Sequence, residues 1–243
     1  MPAALLWAVA TVTAVRFGQP DRWRTALQAA GEDWPAAVGM VAAAVAATLT
    51  AALLAEVLTE PMRRLWLGSG LPGPISRLLR QWRTTRWQAA SPRHRVRIAL
   101  AEPRSPTWIG DRRSALESRI RHEYGLDLAS VWPRLWLVLP ESTRAELRGA
   151  EQTFHDATRW AAWSLVYAVT AVAWWPVAGL AVLTLVRAVR SGRAAAATVT
   201  DLGEAATDLY AAHLARRLGL RVDGQTLEPD IGARINARCR KGA

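Results

Sequence analysis

The chain has 243 residues, a formal net charge of +11 and one cysteine, Cys239. One cysteine excludes an intramolecular disulfide and any multi-cysteine metal site, and His94, His122, His155 and His213 stand too far apart for HExxH or HxH spacing. The positive charge is nearly all arginine, with Lys241 the one lysine, and it crowds between long uncharged stretches rather than mixing at the period of a soluble domain.

In chain order, Ala3 to Val15 is the first apolar segment. No basic residue precedes it and no small-x-small cleavage site follows, so it reads as a transmembrane helix rather than a signal peptide. It is short for a span of ~20 residues, and a start codon assigned too late is one reading of that. The clearest span runs from Pro35 to Leu58, uncharged until Glu56, which reads as a boundary residue. Gly39, Ala43, Ala47 and Ala51 form a small-residue stripe along it. Such a stripe lets helices approach closely in lipid; the abundance of alanine accounts for it equally well. The loop from Arg16 to Trp34 balances its arginines with Asp21, Glu32 and Asp33, whereas Glu60 to Arg97 holds nine arginines and one acid. The positive-inside rule puts the second stretch in the cytoplasm and the first outside.

Residues 59–157 therefore read as an arginine-rich cytoplasmic region after a first transmembrane helix pair, 1–58. Gly68 to Pro74 is a flexible link, since neither a strand nor a lysine flanks it as in a phosphate loop. In Ile75 to Trp87, the residues Ile75, Leu78, Leu79 and Trp82 share a helical face. Arg77, Arg80, Arg83, Arg86, Trp82 and Trp87 are the candidate lipid or partner contacts, each arginine gaining ~1 kcal/mol near an anionic leaflet. The other reading is a globular helix with a solvated basic side. Asp111 is expected to cap a helix ending at Tyr124 and Gly125, with Glu117 and Arg121 as an i,i+4 pair of about 0.3 kcal/mol. Val131 to Pro140 is a short buried helix or a strand, with Trp132 and Trp136 as core residues. From Pro140 a further helix starts and meets no breaker before Trp160.

Trp160 to Val186 is 27 residues without a charge, long for one span and short for two. Trp174-Trp175-Pro176 falls near its middle. Tryptophan pairs favour the headgroup interface, and proline disfavours an unbroken helix. A hairpin over 158–193 turning there keeps Arg159, Arg187, Arg190 and Arg193 on one side; a single kinked span exports the last three. The hairpin is the preferred reading, with both termini cytoplasmic. The tail, 194–243, opens with an amphipathic helix from about Ala194 to Leu218. Its expected face is Val199, Leu202, Ala206, Leu209, Tyr210, His213 and Leu214. Leu202, Leu209 and Tyr210 are its candidate docking residues, and Asp201, Glu204 and Asp208 form an acidic patch for the arginine-rich region.

Pro106-Thr107-Trp108-Ile109-Gly110, then Tyr124-Gly125-Leu126-Asp127, then Trp132-Pro133-Arg134-Leu135-Trp136, and Asp201-Leu202 followed by Glu204 and Asp208-Leu209 form a recurring set of words. Together they resemble the signature of an uncharacterised family of actinobacterial multi-pass membrane proteins, over Pro106 to the C-terminus. Trp108-Ile109 stand where that family has Arg-Leu. The resemblance implies a helical membrane protein and carries no activity.

No GxxxxGK[ST], GxGxxG after a strand, or GxSxG occurs, and the carboxylates are scattered. The expected fold class is all-α: a multi-pass helical membrane protein with a small, mainly helical cytoplasmic domain. The expected function is non-enzymatic scaffolding or recruitment at the cytoplasmic face of the bacterial inner membrane. The expected partners are the bilayer, anionic lipid included, and a protein partner or a second copy; no cofactor is implied. A subunit of a transporter or pore is the alternative, a membrane-embedded enzyme ranks third, and nucleic-acid binding ranks last.

Overall fold

The computed structural model describes residues 34–90, 102–222 and 227–240. Ala3 to Val15, the loop up to Glu32 and Asp33, His94, Arg97 and Lys241 lie outside the described residues. Among the described residues there are seven helices and no strand: α1 (Trp34–Leu67), α2 (Gly73–Ala89), α3 (Trp108–Tyr124), α4 (Leu128–Val138), α5 (Glu141–Ala173), α6 (Val177–Arg217) and α7 (Pro229–Cys239). The open choice between helix and strand for Val131 to Pro140 resolves as helix α4. α1 is long and apolar enough to cross a membrane, the one such helix among the described residues.

The chain divides into two compact units. Of the described residues, those up to Arg63 and His155–Ser191 form unit 1. Here α5 and α6 form an antiparallel hairpin. α5 stops at Ala173 because Pro176 has no N–H to continue the ladder, and α6 restarts at Val177. The Val177 amide donates to the Trp174 carbonyl at 3.2 Å, and Ala178 donates to Trp175 at 3.0 Å, closing the turn. At the base of the hairpin the Arg187 guanidinium stacks on Trp160, 5.3 Å from the ring centre. Between base and turn, Trp163 and Tyr167 pack with Val177, Leu180 and Ala181, and Ala55 of α1 completes that core. Glu56 sits 3.3 Å from Arg159, tying α1 to the base of the hairpin.

Unit 2 holds the described residues of Arg64–Phe154 and those from Gly192 onward. Its main core joins Leu116 and Ile120 of α3, Val131 and Leu135 of α4, Ala211, Leu214 and Ala215 of α6, and Ile231, Ile235 and Cys239 of α7. The last three recur every four residues, so they line one face of a helix that Pro229 starts. Gly125 ends α3 in the left-handed region at φ +64, where a side chain is strained. Asn236 then ties α7 to the segment that follows, donating to the Gly125 carbonyl at 2.8 Å and accepting from the Asp127 amide at 2.9 Å. Asp127 also pairs with Arg240 at 2.7 Å.

Four expectations are corrected. Thr107, not Asp111, caps α3: its hydroxyl accepts from the Gly110 amide at 3.0 Å and donates to the Trp66 carbonyl at 2.6 Å. Asp111 sits a turn later and receives amides from the preceding loop instead. Glu117 pairs back to Arg113 at 3.3 Å, and Arg121 lies 3.9 Å from Asp127. No helix begins at Ala194, because α6 runs unbroken from Val177 to Arg217. Gly192, just before that stretch, is buried where a Cβ would strike the Trp66 ring. The buried face of that stretch differs in part: Ala206 and Leu214 of the expected face are buried, and Leu209 is not. Ala195, Ala196, Thr200, Ala206, Thr207 and Ala211 are buried, while Leu209 is 73% exposed. Small side chains win the interior because they let neighbouring helices come close, and the two threonines satisfy their hydroxyls on their own helix.

Candidate functional site

α2 follows the last residue of α1 after a five-residue link and carries no acid. Pro74 lies in its first turn, where a missing N–H costs nothing. One side of α2 is clamped. Arg83 reaches Asp111 at 2.7 Å, and the two side chains are only 12% and 14% exposed. The same guanidinium nitrogen donates to the Ser105 carbonyl at 2.6 Å. It leaves the Asp111 oxygen it touches without an aligned hydrogen bond, so that contact is coulombic. The other oxygen of Asp111 accepts the Arg104 amide at 2.8 Å and the Ser105 amide at 2.5 Å. Gln88 of α2 bonds Glu102 at 3.3 Å along the same loop.

The opposite side is open. Ile75, Leu78 and Trp82 are exposed and share one face, with the Arg86 guanidinium 5.1 Å over the Trp82 ring. Arg77 and Arg80 are exposed, and Arg77 donates to the Gly73 carbonyl at 3.3 Å. The six candidate contacts thus divide. Arg77, Arg80, Arg86 and Trp82 face outward, Trp87 is half-buried, and Arg83 belongs to the interior clamp. A sequence reading misses the clamp because Asp111 lies 28 positions away, and its helical spacing suggests only a cap.

The acidic residues of α6 meet α3 in register. Arg112 pairs with Asp201 at 2.7 Å and donates to Thr200 at 3.0 Å. Arg119 grips Glu204 with two bonds of 2.7 Å. The Tyr124 hydroxyl donates to Asp208 at 3.0 Å. Arg119 holds the Glu204 carboxyl below its usual range. Asp208 is pushed up, chiefly by burial, with Glu123 and Glu204 adding and the Tyr124 hydroxyl opposing. Of the docking candidates, Leu202 and Tyr210 pack on Leu139, Leu147 and Ala206; Leu209 does not.

Several words of the resemblance therefore do structural work: Thr107 caps, Gly125 turns, Asp127 takes Arg240, and Glu204 and Asp208 take α3. Among the described residues no three His, Cys, Asp or Glu side chains gather as a metal site would require. No family model, curated protein or solved structure matches the chain.

Proposed function

We propose that this chain is a multi-pass protein of the bacterial inner membrane that scaffolds or recruits a partner at the cytoplasmic face through unit 2, without catalysing a reaction itself. The path of the chain carries this reading. Arg64–Phe154 and the residues from Gly192 pack into one unit through pairs such as Arg119–Glu204, and segments packed together share one side of a membrane. His155–Ser191 leaves that unit and comes back to it, as a membrane hairpin does. Unit 1 turns large apolar side chains outward, Val45, Leu49 and Leu53 on α1 and Val169, Val182 and Leu183 on the hairpin. Water-soluble monomers rarely expose apolar patches beyond a few hundred Å², whereas acyl chains solvate such a surface without cost. Arginine follows each apolar run, Arg63 and Arg64 after α1's and Arg187 and Arg190 after the hairpin's, the pattern of a cytoplasmic boundary.

On this reading the open face of α2 meets anionic headgroups through Arg77, Arg80 and Arg86, with Trp82 at the interface. The alternative, a subunit of a transporter or pore, needs polar groups free to line a path. Thr48, Thr50, Ser164 and Thr170 each donate to a carbonyl of their own helix at 2.7–2.9 Å, which favours the scaffold. The test is alkaline carbonate washing of membranes from cells expressing the full chain. Retention in the pellet is expected; release into the supernatant refutes the reading.

A further inference from the structure

The hairpin of unit 1 is shorter than the helix it stands beside. Glu56 and Arg159, 3.3 Å apart, put α1 and α5 at one level, and Arg187 over Trp160 brings α6 to the same level. Above that level the uncharged run of α1 from Ala55 back to Pro35 rises about 31 Å at 1.5 Å per residue, matching the ~30 Å hydrocarbon layer. The hairpin leg from Trp160 to Ala173 rises only about 21 Å before it turns. The α1 residues in the shared core, Ala51, Ala52 and Ala55, all lie within two turns of Glu56. The turn itself has no charged, hydroxyl or amide side chain: it reads Ala173-Trp174-Trp175-Pro176-Val177, with Trp175 76% exposed and Val172, just before it, 90% exposed. Its backbone is largely closed on itself. The Trp174 amide donates to Thr170, Val177 to Trp174 and Ala178 to Trp175, all at 3.0–3.2 Å, and Pro176 has no N–H to satisfy. Backbone at membrane depth requires such internal satisfaction; a loop emerging into water does not.

We propose that the Trp160–Val186 hairpin is re-entrant: it enters the bilayer at the level of Glu56 and Arg159, turns at Trp174–Pro176 among the acyl chains of the far leaflet, and returns without reaching the far aqueous phase. This rests on the membrane reading above and goes beyond it, because a hairpin that crosses fully also returns the tail to the starting side. The leg ends at Ala173 about 10 Å short of the end of α1's uncharged run, a difference of six to seven residues of helix rise, which the three-residue turn does not make up. The occupant of the exposed Val172 and Trp175 surface is lipid tail, since that surface holds no charged, hydroxyl or amide side chain and its one polar side-chain group is the Trp175 indole N–H.

The test places one thiol at the tip, Trp175→Cys in a Cys239→Ala background of the full chain. Trp175 lies outside the unit 1 core, so the replacement spares the packing. A membrane-impermeant maleimide is applied to spheroplasts, to lysed cells and to detergent-solubilised protein. Reaction in detergent alone is expected. Reaction in intact spheroplasts overturns the re-entrant turn and leaves a full crossing. Reaction in lysed cells but not in spheroplasts overturns both this inference and the membrane reading. A nitroxide at the same position in phosphatidylcholine–phosphatidylglycerol nanodiscs gives an independent depth: collision with oxygen exceeding that with a nickel chelate is expected, and the reverse contradicts the proposal.

Discussion

At Gly232 the backbone of α7 passes so close to the Tyr124 carbonyl that a methyl group has no place, and Gly125 faces the Pro229 backbone from the other side. Two glycines thus set how near α7 lies to the end of α3, and the neighbours are main chain, which cannot swing aside. Gly232→Ala is expected to lift α7 from the core and destabilise unit 2 by about 1–3 kcal/mol, the usual cost of overpacking. Cys239, buried under α7, reports the event directly: its reaction with a thiol reagent in mild detergent is expected to accelerate in the variant. Gly149→Ala is the control, since nothing lies within 4 Å of the added methyl, and a mid-helix glycine replaced by alanine gains about 0.5–1 kcal/mol. Equal Cys239 reactivity in both variants contradicts the close-contact account. Arg83 and Asp111 set geometry in a similar way, as a nearly buried pair that fixes one side of α2 and so decides which of its arginines face outward.

Between α3 and α6 the contacts are ionic at the rim and apolar beneath. Leu116 and Leu214 lie in the core, while Arg119 and Glu204 remain partly exposed. A pair of that exposure contributes ~0–1 kcal/mol, and its pH dependence has a definite sign. Arg119 lowers the Glu204 pKa in the folded state, so the stabilisation is present above the ordinary carboxylate value of 4.5 and is lost as pH falls through the lower folded value. Asp208 acts oppositely: burial raises its folded pKa, so ionising it costs stability, and protonation at falling pH relieves that cost. Glu204→Gln is therefore expected to lower stability by at most ~1 kcal/mol at neutral pH and to lose less than wild type on acidification. Thermal melts in detergent from neutral to acid pH measure this, and parallel pH profiles of the two proteins contradict it. The acidic patch on this helix was legible from its charge spacing; the buried face was legible only at Ala206 and Leu214. Hydrophobicity points to Leu209, which the packing leaves exposed, while Thr207 and Ala211 are buried beside Ala206 and Leu214, because small side chains let the neighbouring helices come close.

Over the whole chain, what was legible follows local chemistry. The break at Trp174–Pro176, the stop at Gly125 and the unbroken α5 are written in proline, glycine and their absence. α7 went unread although Pro229, Ile231 and Ile235 mark a start and a face, since a single short amphipathic turn pattern at a polar terminus is a weak signal. The joining of residues 64–154 with those from 192 onward was beyond local reading, because it rests on contacts such as Arg119 with Glu204, 85 positions apart. That joining is what makes the path of the chain informative about a membrane. The most direct test is a pair of fusions at Ala243 in the full chain, one to a phosphatase active only outside the inner membrane and one to a fluorescent protein that folds only inside. The account predicts fluorescence without phosphatase activity, because the tail shares a unit with the arginine-rich region. Phosphatase activity without fluorescence contradicts it and leaves 158–193 as a single span with the tail outside.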